Sequence, residues 1–189
     1  MQPTMWTRVL LVLWGLSAGG CYVGYAIAVG PTVDTSGTVG AQLGLRAILG
    51  TALDEENAIS ETLGVQGSLP GMTAAAGGPI VGLDYFHYFE EDEVGLRAGL
   101  RAKATFLEQD DGQVHSWVGV GGAVAFLPEL DVSHEQHENH STLGLELEGW
   151  YYEDVSEEQP VDLESDALGQ FGLNLVFEWF MLDDDPIGW

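Results

Sequence analysis

The stretch "EVGLRAGLRAKATF", residues 93–106, decides how this chain is read. Arg97, Arg101 and Lys103 stand at odd positions and Val94, Leu96, Leu100 and Phe106 at even ones, the alternation of a strand whose two faces meet different surroundings. These are three of only five Lys and Arg residues in a chain that carries thirty Asp and Glu. Most of its positive charge lies on one side of one strand.

Period-two alternation runs through most of the sequence after Cys21, and no long window holds a helical period, so the class is all-β. Eight strands are predicted, near residues 22–34, 38–50, 62–69, 79–89, 94–107, 114–127, 141–152 and 166–180. "DTSGT" (34–38) and "EQDDGQ" (108–113) supply the Gly and Asp of tight turns, so sequential strands pair as hairpins.

Sorting the strands by parity yields two unlike faces. One carries Leu43, Leu45, Leu49, Leu96, Leu100, Leu143, Leu145, Leu147, Phe171, Leu173, Leu175, Phe177 and Trp179, with no formal charge. The other carries Arg46, Asp84, Arg97, Arg101, Lys103, Glu146, Glu148 and Glu178 among glycines such as Gly44, Gly95, Gly99 and Gly144. A solvated outer face has little use for glycine, which weakens a strand by roughly 0.5–1 kcal/mol relative to Ala. Inside a narrow eight-stranded barrel, glycine gives long side chains the room they need. The expected fold is therefore an eight-stranded antiparallel up-and-down transmembrane β-barrel, with hydrocarbon facing lipid and an ion network filling the lumen. An unpaired internal charge costs several kcal/mol, so the bases are predicted to neutralise Asp84, Glu146, Glu148 and Glu178. Tyr22, Tyr25, Tyr85, Phe89, Phe126 and Trp179 are expected as an aromatic girdle at one rim, and Phe106, Trp150 and Tyr151 at the other. His87, on the apolar face, is placed near a rim within reach of headgroups.

The first twenty residues have the layout of a signal peptide: Arg8, an apolar run from Val9 to Leu16, then small residues from Ser17 to Gly20. The barrel domain is expected over residues 21–180, and 181–189 form an acidic tail. Cys21, the single cysteine, is the candidate lipidation site and excludes an intrachain disulfide. A net charge of -25 disfavours nucleic acid, whose phosphates call for a basic surface.

Over residues 22–180 the chain resembles the small outer-membrane β-barrels of Gram-negative bacteria, the eight-stranded porin-like family. "GQFGLNLVFEWF" (169–180) looks like that family's C-terminal assembly signal, with Gln170, Gly172, Leu175 and Phe177 in the recognised places. The resemblance implies insertion by the barrel-assembly machinery. Two features depart from the family pattern: the chain continues through "MLDDDPIGW", and the connections after the second and sixth strands read as long.

Other constellations carry less. "SHEQHENHS" (133–141) sets His134, His137 and His140 three apart, a candidate divalent-metal loop but one without a closed zinc pattern; otherwise no cofactor is expected. His115 and Ser116 are adjacent on a strand and point to opposite faces, so no triad is assembled and no catalytic residue is assigned. "GVGGAV" (119–124) lies within a strand and is read as lumen-facing glycine rather than a dinucleotide loop. Glu146 and Glu148 are read as salt-bridge partners, not an acid/base pair. The expectation is a non-enzymatic, monomeric outer-membrane protein in contact with lipid, with a structural or surface-interaction role carried by acidic loops. The alternatives are a lipid-modifying barrel enzyme, a metal-binding envelope protein and a soluble periplasmic barrel.

Overall fold

The computed structural model of the chain describes residues 20–35, 37–54, 56–68, 77–108, 114–130, 139–155 and 167–183. Eight strands form: β1 (Gly20–Asp34), β2 (Val39–Ala52), β3 (Asn57–Ser68), β4 (Gly78–Phe89), β5 (Val94–Glu108), β6 (Val114–Pro128), β7 (Asn139–Asp154) and β8 (Ala167–Asp183). Each is antiparallel to its sequence neighbour, and β8 returns to β1, so the sheet closes into an up-and-down barrel in the order β1 to β8. The described residues contain no α-helix, only a 3-10 turn at Glu90–Asp92 between β4 and β5.

Following hydrogen-bonded partners around the wall shows how it closes. The path from Gly24 runs through Ile48, Thr62, Gly82, Arg101, Gly121, Trp150 and Gln170 and comes back to β1 at Asp34, ten residues along the strand from where it began. That stagger forces the strands to tilt and leaves an interior just wide enough for side chains to fill.

The turns follow from local chemistry. Gly37 takes a left-handed φ of 86° between β1 and β2, where the Asp34 carboxylate accepts the Thr38 N–H at 2.9 Å. Between β2 and β3, Asp54 accepts the Asn57 side-chain amide at 2.6 Å and the Glu56 N–H at 3.0 Å. These bonds, the Asn57 contact first, hold its carboxyl below the ordinary aspartate range. This compact turn starts β3 at Asn57, five residues earlier than the sequence reading placed it. The connection after β2 is consequently short, against expectation, whereas the one after β6 is long. Strand β8 likewise runs on to Asp183, past the expected limit at residue 180.

Side chains alternate cleanly across the wall. Outside lie Leu43, Leu45, Leu49, Leu63, Val81, Leu83, Val120, Val124, Leu145, Leu173 and Leu175, with Leu100 77% and Leu147 63% exposed. Glu61, on the outward side of β3 beside Leu49 and Leu83 in register, interrupts this apolar surface. Inside, one apolar cluster gathers Tyr22, Ile48, Phe86, Tyr88, Leu127 and Phe180 at the end where β1 begins and β8 finishes. A second joins Ile80, Trp117, Trp150 and Tyr152 toward the opposite end.

Two residues assigned to the aromatic girdles belong to these interior clusters instead. Tyr22 is fully buried and stacks on Phe86 at 5.1 Å, and Trp150 is only 4% exposed. Tyr22 shares its parity with the inward Ala26 and Ala28, and Trp150 shares its parity with Glu146 and Glu148. Tyr25, Tyr85, Phe89 and Phe126 are exposed on the outer face near the terminal end, and Tyr25 stacks on Trp179 at 5.4 Å. Tyr151 is exposed toward the other end; the Phe106 side chain lies outside the described set. His87 is half-buried, its Nδ1 2.8 Å from the Asn57 amide oxygen, against the edge of Phe89.

Candidate functional site in the barrel interior

Eight charged side chains, Arg46, Asp84, Arg97, Arg101, Lys103, Glu146, Glu148 and Glu178, face the interior, each at least nine-tenths buried. Five strands deliver them: Arg46 from β2, Asp84 from β4, the three bases of the opening stretch from β5, Glu146 and Glu148 from β7, and Glu178 from β8. Four positive and four negative groups make the set formally neutral, which a low-dielectric interior requires.

The centre is Glu146, which takes Arg46 Nη1 at 2.7 Å and Arg101 Nη2 at 2.9 Å, with the Asn174 amide at 3.3 Å. Arg101 also reaches Asp84 at 3.6 Å, and the Thr62 hydroxyl donates to that same aspartate. Glu148 lies 3.6 Å from Arg46 and accepts amide hydrogens from Gln66 at 2.8 Å and from Gln42. Nearer the terminal end, Arg97 pairs with Glu178, which also accepts the Tyr22 hydroxyl at 3.1 Å. Lys103 has a different environment: its ammonium lies over the rings of Trp150 and Tyr152, at 5.6 and 5.7 Å from their centroids. Cation–π attraction of this kind strengthens with desolvation.

Glycine makes the arrangement possible at specific points. A Cβ on Gly99 would run into the Asp84 carboxylate and come within 2.8 Å of the Leu83 carbonyl oxygen. A Cβ on Gly121 would come within 2.8 Å of the Trp150 ring. Gly99→Val is therefore expected to push Asp84 off Arg101 and Thr62 and to cost about 1–3 kcal/mol, the usual penalty of overpacking. Gly122→Ala is the control: Gly122 faces outward, and its nearest neighbour to an added Cβ is the Gly99 carbonyl oxygen at 3.3 Å. Urea unfolding of both variants checks the contrast, with Gly122→Ala remaining close to the parent. Gly122 is also a correction within "GVGGAV", where Gly119 and Gly121 alone among the glycines face inward.

The supporting polar groups Thr62 and Gln66 were not singled out from sequence. They lie on β3, whose alternation is blurred by Ser60 and Thr62 inside and Glu61 outside. In the assembly-signal set, Gln170 faces inward and accepts the Tyr152 hydroxyl at 3.0 Å. Gly172 lies against Gln42 and Glu148, while Leu175 and Phe177 face outward. Cys21 pairs with Thr51 and Asp183 through the backbone of β1, and its side chain lies outside the described set. The β5–β6 register is continuous from Val114 to Pro128, with no bulge to bring residues 115 and 116 to one face.

His134 and His137 lie outside the described residues. His140 opens β7 and approaches Glu129 at 3.1 Å. Among the described residues, no group of three or more His, Cys, Asp or Glu side chains is arranged to hold a metal ion.

The chain is thus a closed eight-stranded antiparallel β-barrel with an ion-paired interior and an apolar exterior. No family model matches the sequence, and no curated protein matches it either.

Proposed function

We propose that this barrel is an exported, monomeric outer-membrane protein whose lumen is plugged by its charge network. Its role is structural or interactive, carried by acidic loops, and not enzymatic. One observation carries this reading: apolar side chains cover the outside while eight ionised groups fill the inside, the reverse of a water-soluble barrel. Leu, Val, Phe and Tyr side chains wrap all eight strands, far more contiguous apolar surface than soluble monomers expose. Strands of 12 to 17 residues exceed the 9–11 or so that cross a bilayer at a tilt. The exposed Tyr25, Tyr85 and Phe126 on the outer wall suit an interfacial belt.

In this reading the first twenty residues direct export, the β8 sequence engages the insertion machinery, and lipid is the main partner. The end that carries both termini of the barrel, with the connections 53–56 and 90–93 and the longer 129–138, faces the periplasm in this reading. The sequence joining β7 to β8, residues 155–166, concentrates negative charge in Glu157, Glu158, Asp162, Glu164 and Asp166. That charge suits a cationic or cation-bridged contact rather than an acidic one.

The test is membrane fractionation followed by electrophoresis with and without boiling. The expected result is recovery with the outer membrane and faster migration of the unboiled chain. A mature chain that stays in solution without detergent, as a folded species, would overturn the proposal.

A further inference from the structure

One carboxylate on the outer wall has no counterpart. Glu61 faces outward from β3, half-buried, with Leu49 of β2 and Leu83 of β4 beside it in register. Strand ends apart, it is the only Asp, Glu, Lys or Arg on the outward face among the described residues. Arg46, Arg97, Arg101 and Lys103 are all buried inside, so no base of the described barrel reaches it. An ionisable group on a wall that faces lipid is costly to keep unless something pairs with it.

The wall between Glu61 and the terminal end is polar too. The next outward row holds Ile59 and Tyr85, and the row after it Asn57 and His87. Asn57 donates its side-chain amide to Asp54 at 2.6 Å, which turns its Oδ1 toward the Tyr85 hydroxyl and His87 Nδ1, and both donate to that oxygen. In the neutral His87 ring Nε2 is then a bare acceptor. From the rim up to Glu61 this sector offers acceptors and negative charge.

We propose that Glu61 binds the primary ammonium of a phospholipid headgroup of the phosphatidylethanolamine type, drawn up the β3–β4 sector from the rim. The inference rests on the membrane reading. Glu61 stands two residues, roughly 7 Å of strand, from the Tyr85 row, and strand tilt shortens that depth across the bilayer. A primary ammonium brings both a positive charge and N–H donors, so it forms the charge-assisted hydrogen bond that this carboxylate lacks. A choline headgroup has the charge but no N–H, and a glycerol headgroup leaves an uncompensated phosphate that Glu61 repels. A second copy of the chain offers no cation on its described outer wall.

The full chain is tested in two steps. Vesicles of phosphatidylcholine, with and without phosphatidylethanolamine, report insertion by co-sedimentation and unboiled gel migration. Failure to insert into either would overturn the membrane reading and this inference with it. Native mass spectrometry from detergent then measures retention of each lipid. Phosphatidylethanolamine is expected to be held about tenfold more tightly than phosphatidylcholine, the scale of one charge-assisted hydrogen bond. Glu61→Leu should abolish that preference and Glu61→Asp should keep part of it, with unboiled migration verifying that both variants are folded. Equal retention of the two lipids by a chain that inserts, or a preference that survives Glu61→Leu, would overturn the inference and leave the membrane reading standing.

Discussion

Glu146→Gln is expected to destabilise the barrel by about 3–5 kcal/mol, the cost of leaving buried charge uncompensated. Glu146 has no exposed surface, and it is the common partner of Arg46 and Arg101. The substitution keeps the shape of the side chain but removes the charge both guanidiniums face. Neither has a full substitute, because Glu148 and Asp84 stand 3.6 Å away from Arg46 and Arg101. Urea unfolding followed by tryptophan fluorescence gives the measurement. Trp117 and Trp150 lie inside the barrel and report loss of its interior. A loss below about 1 kcal/mol would mean that the interior pairs are as weak as exposed surface pairs.

Leu145→Arg carries the second large effect and separates a lipid-facing wall from a wetted one. Leu145 is 53% exposed near the middle of β7, flanked in register by Phe126 and Leu175. Facing hydrocarbon at mid-depth, an arginine there costs about 2–4 kcal/mol. Facing water, the same exchange lies within about 0.5 kcal/mol. Reconstitution into vesicles with a readout of folded fraction is the check, and the proposed orientation requires a clear drop for Leu145→Arg. An undiminished folded fraction would return the outer wall to solvent.

Much of this architecture is legible in the residues, because a barrel wall encodes its orientation in parity. Arg97, Arg101 and Lys103 share parity within one strand, and nothing but a common face can follow from that. Long-range pairing is less legible. That Arg46 and Arg101 converge on Glu146, while Lys103 rests on Trp150 and Tyr152, depends on the ten-residue stagger of the closed sheet, which no local window contains. Strand β3 was placed late because Glu61 stands outside and Ser60 and Thr62 inside, which cancels the apolar/polar contrast that marks a strand. Tyr22 and Trp150 were assigned to the rims on side-chain type, although their parity placed them inside. The contact of His140 with Glu129 is not legible in "SHEQHENHS", because Glu129 lies outside that stretch.

Closure of the wall through β1 and β8 has a consequence for how the molecule comes into being. The two strands that zip together, with partners such as Tyr25 with Trp179 and Val33 with Phe171, are the first and the last of the barrel in chain order. The seam therefore has to wait until the last strand is present, and a nascent chain lacking β8 would offer two raw edges to any passing strand. Slow, late knitting of that kind favours a chain shielded from other strands until its own last strand pairs.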